Sequence, residues 1–313
     1  MARRVRVSAV SSDFIILDPA AGDERGVETV LASMRRLIAP VLPERPDLIV
    51  LPEVCDRPDN YEMPRRRAYY DCRAERVLDF FRQTARQNRC WVVYPTERLD
   101  EGGAWRNAAY LIDRAGHVRG VYDKMFVTIS QMEEDGFPCA REPAFFETDF
   151  GTLGMAICFD LNFPALLEAY ARMRPDLIVF PSHFHGAFLG EHWAWACQAF
   201  FLGAIARHEC YLISPAGQAI ARSSPGRRFL TAEINLDRCV VHCDWKDLPR
   251  LDALKAARGK DVEITDAGFG GNFVVSAGDT VRDAAGMARE AGLMPLDDYL
   301  LKGEGRTSAW PGA

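Results

Sequence analysis

Two short apolar runs place the strongest limit on how this chain can fold. Residues 47–50 and 176–179 both read Asp-Leu-Ile-Val. A short, continuous run of this kind is typical of a strand that is covered on both faces. The apolar spacing at 27–38 and 74–87 instead predicts amphipathic helices. Strands that alternate with helices, together with a hairpin turn at 113–117, predict an α/β sandwich with mixed sheets.

The remaining elements are predicted from the same two periodicities. We expect a short helix at 164–173 and a largely buried helix at 191–207. Further strands are predicted at 5–10, 90–94, 108–112, 118–122, 144–147, 152–158, 211–214 and 229–234. The regular alternation fades after residue 235. We therefore predict one domain over 1–235 and a C-terminal extension over 236–313 that contributes to a subunit interface.

Composition excludes several classes of protein. With 48% hydrophobic and 26% charged residues, the chain can bury a large core. A net charge of -6, with no basic stretch interleaved with aromatic residues, predicts no nucleic-acid partner. No apolar run has the length of a membrane span, so we expect no membrane partner. Nine cysteines without regular spacing argue against a secreted disulfide framework and favour a cytoplasmic protein.

Reactive side chains follow three of the strand-like runs. Glu53 comes directly after the run ending in Pro52, Lys124 follows the predicted strand 118–122 closely, and Cys158 ends an apolar run. A carboxylate can serve as a general base, an ammonium can stabilise an oxyanion and a thiol can act as a nucleophile. A turn leading into a helix at Cys158 would favour the thiolate. We therefore expect iodoacetamide to modify Cys158 ahead of the other cysteines.

Each of these residues also has a structural interpretation. Cys158 could be a small buried residue, since cysteine is among the most buried types. Lys124 could be a surface lysine at a strand end. Glu53 could cap a helix or form an ion pair. The three residues together favour the chemical interpretation more than any one of them does.

Three motifs carry a resemblance to a known family. They are Leu51-Pro52-Glu53, Tyr122-Asp123-Lys124-Met125 and Ile157-Cys158-Phe159-Asp160. Over residues 5–234 the chain resembles the nitrilase superfamily, the carbon–nitrogen hydrolases. The resemblance implies a four-layer αββα sandwich with two mixed β-sheets that pairs as a homodimer or a higher oligomer. It also implies a Glu–Lys–Cys triad and no metal or organic cofactor.

The resemblance assigns a role to each member of the triad. Cys158 would attack the substrate carbon and form a thioester, and Glu53 would act as base and then as acid. Lys124 would hold the oxyanion together with the backbone N–H of Phe159. A second active-site glutamate would be Glu133 or Glu134, with Glu134 preferred, although both could belong to a solvated acidic loop.

Residues around the triad are candidates for binding the substrate. Ser182, His183 and Phe184 follow a strand whose end would face the triad, although His183 could also be a hydrogen-bonded loop residue. Arg141, or the pair Arg227-Arg228, could bind a carboxylate. A group of histidines and cysteines between residues 183 and 210 superficially resembles a zinc set, but its spacing matches no standard site.

The expected reaction is hydrolysis of a non-peptide C–N bond. Phe159-Asp160 resembles the amidase and carbamoylase branches, so we expect a small linear amide or an N-carbamoyl compound as substrate and ammonia as product. Ala165 and the stretch 213–218 depart from the common family pattern, which leaves the exact substrate open. The alternatives are a nitrilase that uses the same triad and a non-catalytic binding or assembly protein that keeps the fold.

Overall fold

A computed structural model describes residues 2–266, 270–279 and 283–306. The chain divides into two compact units. The main unit comprises Arg6–Ser214 and Ala219–Glu233, and the C-terminal unit comprises the described parts of residues 1–5, 215–218 and 234–313. The predicted boundary at residue 235, and a role of the C-terminal part in a subunit interface, stay predictions.

The described strands and helices follow one another along the whole chain. The strands are β1 (Arg4–Val10), β2 (Leu48–Val50), β3 (Trp91–Leu99), β4 (Trp105–Ile112), β5 (Val118–Asp123), β6 (Phe145–Glu147), β7 (Thr152–Met155), β8 (Leu177–Ser182), β9 (Phe200–Ile205), β10 (Tyr211–Ile213), β11 (Ala219–Arg222), β12 (Phe229–Asn235), β13 (Arg238–His242), β14 (Val262–Asp266), β15 (Asn272–Ala277) and β16 (Met294–Pro295). The helices are α1 (Asp23–Ile38), α2 (Arg65–Arg73), α3 (Arg76–Asn88), α4 (Ile129–Glu133), α5 (Pro164–Met173), α6 (Phe188–Cys197), α7 (Leu248–Arg258), α8 (Ala284–Glu290) and α9 (Leu296–Arg306).

Two six-stranded mixed sheets carry the main unit. The first has the order β12-β1-β2-β3-β4-β5, and the second has the order β11-β10-β9-β8-β7-β6. In the first sheet β1, β2 and β3 are parallel, whereas β4 and β5 continue as antiparallel hairpins. In the second sheet β7, β8 and β9 are parallel, with antiparallel neighbours at both ends. Both sheets are therefore mixed, as predicted.

Each sheet is covered by helices on one face and by apolar contacts on the other. Helices α1, α2 and α3 pack on the face that carries Ile49, and α5 and α6 pack on the face that carries Ile178. Because side chains alternate along a strand, the neighbouring Leu48 and Val179 point to the opposite faces. Both are nevertheless completely buried, which indicates that the two sheets cover each other. The fold is the αββα sandwich that was predicted.

The two sheets contact each other where Gly120 of β5 faces Phe146 of β6. A Cβ atom added to Gly120 would lie 2.4 Å from the ring of Phe146. A glycine is therefore required at this position for the ring to sit against β5.

One predicted element is wrong. The expected helix at 191–207 is instead α6, which ends at Cys197, followed by β9. Gln198 has a φ of 48°, a left-handed conformation that ends the helix. The segment that follows pairs in parallel with β8, and its Phe201 packs in the core under α6. A segment that is buried on all sides has no periodicity, so sequence alone does not distinguish a helix from a strand here.

The C-terminal unit has its own sheet and core. Its four strands lie in the order β14-β15-β13-β16 and pair antiparallel. Val241 and Val275 from the sheet pack with Leu251 of α7 and Met287 of α8. Over the described ranges of both units, every helix is too short or too polar to cross a lipid bilayer.

Candidate active site

Side chains from the ends of both sheets converge on one cavity of the main unit. Glu53 follows β2, Lys124 follows β5, and Cys158 opens a 3₁₀ helix after β7. The ammonium Nζ of Lys124 lies 2.8 Å from Oε1 of Glu53. All three residues, together with His183, line a cavity of about 600 Å³. The residues predicted from three separate strand ends therefore lie together.

Glu53 and Lys124 form a buried ion pair. The two residues are only 4% and 2% exposed, and Asn107 donates a second hydrogen bond of 2.8 Å to Oε1 of Glu53. Burial alone would raise the pKa of Glu53, but Lys124, His183 and Asn107 together lower it to about 2. Burial lowers the pKa of Lys124, but the charges of Glu53, Cys158 and Asp160, with the hydrogen bond to Glu53, together outweigh burial and raise it. Glu53 is thus a carboxylate and Lys124 an ammonium at neutral pH.

Cys158 occupies a strained position at a sharp turn. Its φ is 51°, in the left-handed region that non-glycine residues rarely adopt. Such a conformation costs on the order of 1–3 kcal/mol and is found preferentially at functional sites. The turn presents the thiol to the cavity, where it interacts with the Glu53 carboxylate and the Ser182 hydroxyl.

A buried aspartate ties this turn to the segment that carries Lys124. Asp160 accepts hydrogen bonds from the backbone N–H of Ile157 at 2.8 Å and of Phe126 at 2.7 Å. The hydroxyl of Tyr122 donates a third at 2.7 Å. Burial raises the pKa of Asp160 to about 6, although these donors act in the opposite direction. Asp160 therefore holds the turn at Cys158 in register with the end of β5.

The protonation state of Cys158 differs from the one predicted. Burial and the adjacent Glu53 carboxylate raise the pKa of the thiol to about 12, against a smaller opposing effect of Lys124. The expectation of a stabilised thiolate is therefore wrong, because burial and the nearby Glu53 carboxylate both favour the neutral thiol. To act as a nucleophile, a neutral thiol beside a carboxylate would have to give up its proton.

His183 supports Glu53 and is itself held from both sides. Its backbone N–H donates to Oε2 of Glu53 at 3.3 Å, and its Nε2 lies 3.1 Å from the backbone oxygen of Glu53. A guanidinium nitrogen of Arg207 lies 3.2 Å from Nδ1. The neutral ring with its proton on Nε2 satisfies both contacts. Burial also lowers the pKa of His183, which favours that neutral form.

Lys124 has a further partner that sequence analysis missed. The side-chain oxygen of Gln131 lies 3.2 Å from Nζ of Lys124. Gln131 belongs to a capping box with Thr128 at the start of α4. The pattern Thr128-x-x-Gln131 is the sequence signal that could have identified it.

Only some of the other predicted site residues line the cavity. Glu134 lines the cavity and is exposed, whereas Glu133, Arg141, Phe159 and Phe184 are not among its lining residues. Ser182 is buried and interacts with the Cys158 thiol. Arg227 and Arg228 line a different cavity. Binding roles for these residues stay predictions.

Several charged residues line the cavity without having been predicted. Arg66 forms close ion pairs, at 2.9 Å to Glu97 and at 2.7 Å to Asp135. Arg57 lies farther from its carboxylates, at 3.6 Å from Glu97 and 3.8 Å from Asp59. Isolated charges in a loop after a strand show no periodicity, so nothing in the sequence marked them as cavity residues.

The described residues do not form the zinc site that the histidine and cysteine spacing superficially resembles. No group of three or more histidine, cysteine or acidic side chains lies close enough there to hold an ion. His183 and His185, the first members of the possible zinc set, contact Arg207 and Glu209 instead.

Comparison with known proteins agrees with the fold and the motifs. The carbon–nitrogen hydrolase family matches residues 23–241. A hydrolase in the agr operon of Staphylococcus lugdunensis is 27% identical over 228 residues, which cover 66% of this chain and 94% of that protein. A deaminated glutathione amidase from Synechocystis is 32% identical over 74 residues, 24% of this chain and 26% of that protein. The crystal structure of Saccharomyces cerevisiae Nit3, a member of branch 10 of the nitrilase superfamily, shares the fold. Its TM-score is 0.58 at 18% identity, over 74% of this chain and 90% of Nit3. The chain belongs to the carbon–nitrogen hydrolase family, within the nitrilase superfamily.

Proposed function

We propose that this protein hydrolyses the C–N bond of a small linear amide or N-carbamoyl compound through a thioester on Cys158. The observation that carries the proposal is the buried Glu53–Lys124 pair, 2.8 Å apart, in one cavity with a thiol at a strained turn. A carboxylate, an ammonium and a thiol supply the base, the electrophilic group and the nucleophile of acyl transfer. Ammonia is the product of the first half-reaction.

In the first half-reaction Glu53 acts as base and then as acid. As the Cys158 sulfur attacks the carbonyl carbon, the thiol proton passes to the Glu53 carboxylate and the carbonyl oxygen becomes an oxyanion. Lys124, held as an ammonium, stabilises that oxyanion together with the backbone N–H of Phe159 in the 3₁₀ helix. The oxyanion collapses, the C–N bond breaks, and Glu53 returns its proton to the departing nitrogen.

In the second half-reaction water replaces the amine. Glu53, again a carboxylate, takes a proton from the water while the water oxygen attacks the thioester carbon. The C–S bond breaks, and the proton on Glu53 returns to the sulfur, so the thiol and the carboxylate are both regenerated. One residue thus performs both proton transfers in each half-reaction.

Two observations support an amide over a nitrile. The nucleophile is followed by Phe159-Asp160, as in the amidase-like members that the sequence resembles. The Synechocystis relative, similar over a quarter of this chain, is named as an amidase. The same triad can also attack a nitrile carbon, so nitriles belong in the test.

The test measures ammonia release from simple amides, N-carbamoyl amino acids and aliphatic nitriles, and traps the acyl-enzyme with hydroxylamine. Cys158→Ala should abolish release and hydroxamate formation, whereas Cys72→Ala, at a partly exposed thiol on α2, should retain both. Equal ammonia release by wild type and Cys158→Ala would refute the mechanism. A wild type that is inert to every compound would favour the binding-protein alternative, and release from nitriles alone would favour the nitrilase.

A further inference from the structure

Arg57 is a cation of the active-site cavity that is only loosely paired with its neighbours. Arg57 lines the cavity, and its side chain is 22% exposed. Its guanidinium donates no hydrogen bond to any residue within 2–266, 270–279 or 283–306. The nearest carboxylate oxygens lie at 3.6 Å and 3.8 Å, beyond normal hydrogen-bond length. A largely buried guanidinium with unused donors is costly unless an acceptor reaches it.

Each neighbouring carboxylate has another, closer partner, although Oε1 of Glu97, which faces Arg57, accepts no hydrogen bond. Glu97 is fully buried and makes its closer ion pair, at 2.9 Å, with Arg66. Asp59 accepts a hydrogen bond of 2.7 Å from the backbone N–H of Ile15. These two anions balance part of the charge of Arg57 without occupying its N–H groups. The unused donors are therefore available to a molecule in the cavity.

Other charged side chains of the cavity have close ion-pair partners or contact water. Lys124 is paired with Glu53, and Arg66 makes close pairs with Glu97 and Asp135. Glu134, by contrast, is exposed at the cavity wall, where water can hydrate its carboxylate. Arg57 is thus the cavity cation that lacks a close partner among the residues described.

Building on the proposed function, we propose that Arg57 binds a carboxylate at the far end of the substrate. The substrate would then be a short linear amide with an anionic tail, such as a dicarboxylic acid monoamide. A guanidinium offers two parallel N–H groups that match the two oxygens of a carboxylate, which a lysine ammonium does not. The amide end would lie at Cys158, in the same cavity. Sequence analysis had placed this task on Arg141 or on Arg227-Arg228.

The test compares three amides of similar length whose tails differ in charge. Succinamate carries a carboxylate, succinamide is neutral and 4-aminobutanamide carries an ammonium. Wild type should show the highest kcat/KM for succinamate. Arg57→Gln should lower that value by about 10- to 100-fold, the range for loss of a charged hydrogen bond, and should change the value for succinamide by less than about threefold. Arg57→Lys keeps the charge near Glu97 and should fall between the two.

A binding measurement separates this proposal from the proposed function. Calorimetry on Cys158→Ala should show tighter binding of succinamate than of succinamide, and Cys158→Ala/Arg57→Gln should lose that difference. Both results are independent of turnover, so they test Arg57 even if wild type releases no ammonia. Equal binding of the two compounds, a preference for 4-aminobutanamide, or an equal loss for all three amides in Arg57→Gln would overturn the proposal. Thermal melting of Arg57→Gln and Arg57→Lys checks that both variants fold.

Discussion

Replacing Lys124 with methionine would remove the cation of a buried ion pair and keep a side chain of similar length. In the native protein Lys124 offsets the cost of burying the Glu53 carboxylate, as the low pKa of Glu53 shows. The Lys124→Met variant would leave that carboxylate buried, with Asn107, the backbone N–H of His183 and the Cys158 thiol beside it. We therefore expect a less stable protein whose stability depends on pH in a new way.

The size of the effect follows from the difference between the pKa of Glu53 in the folded protein and its ordinary value. A pKa that moves from its ordinary value of 4.5 to about 2 corresponds to roughly 3 kcal/mol of stability. Because the pKa of Glu53 is lower in the folded state, this contribution to stability is present above pH 4.5 and is lost as the pH falls towards 2. Removal of one partner from a buried pair typically costs about 3–5 kcal/mol. We expect Lys124→Met to lose an amount in that range at pH 7.

The sign of the pH dependence should reverse in the variant. Without Lys124, burial dominates and raises the pKa of Glu53 above its ordinary value. The folded state then binds a proton more tightly than the unfolded state, so the free energy of unfolding rises as the pH falls towards 5. Over the same interval Glu53 contributes no pH dependence in wild type.

Urea unfolding between pH 5 and 8, monitored by the fluorescence of tryptophans such as the buried Trp193, would measure both effects. Glu53→Gln and Lys124→Met/Glu53→Gln complete a double-mutant cycle, in which the double variant should be more stable than the sum of the single losses predicts. A loss below about 1 kcal/mol in Lys124→Met, with a pH profile parallel to that of wild type, would refute the argument that the pair is buried and coupled.

Two further predictions concern the nucleophile and the packing of the sheets. At pH 8 the thiolate fraction of Cys158, with a pKa of about 12, is about 1,000-fold below that of an ordinary thiol of pKa 9.0. The greater nucleophilicity of a basic thiolate recovers a factor of about 15–30, so iodoacetamide should alkylate Cys158 about 30- to 60-fold more slowly than free cysteine. Glu53→Gln should accelerate the reaction, and mass spectrometry that finds Cys158 modified first in wild type would contradict this. Gly120→Ala should destabilise the fold by about 1–3 kcal/mol, because its Cβ would overlap the ring of Phe146. Gly226→Ala, where nothing lies within 4 Å, is the matched control, and equal melting temperatures for the two variants would argue against close packing of the sheets.

The arrangement of Glu53, Lys124 and Cys158 could be predicted because their positions depend on local patterns. Each follows a run whose composition identifies a strand, and the resemblance of the three motifs to a known family implied that they lie together. The periodicity of the helices and the hairpin at 113–117 likewise depend on neighbours in the sequence. These features are decided by residues close together along the chain.

The features that sequence analysis missed depend on contacts between distant segments. The segment of β9 is apolar throughout, and only its pairing with β8 shows that it is a strand. The proposed binding role of Arg57 rests on the distances from its guanidinium to Glu97 and Asp59. The raised pKa of Cys158 depends on burial and on a carboxylate 105 positions earlier in the chain (158 − 53). None of these relations has a local sequence signal.

The way His183 is held has a consequence for the charge balance of turnover. Because Arg207 and the backbone of Glu53 occupy its two ring nitrogens, the ring is committed to one neutral form. Lys124 retains its proton, so under the proposed mechanism a single proton moves between Cys158, Glu53 and the reacting molecule. Each half-reaction would then begin and end with the same net charge in the cavity. The acid and the ammonia would both leave uncharged and would exchange their proton only in the surrounding water.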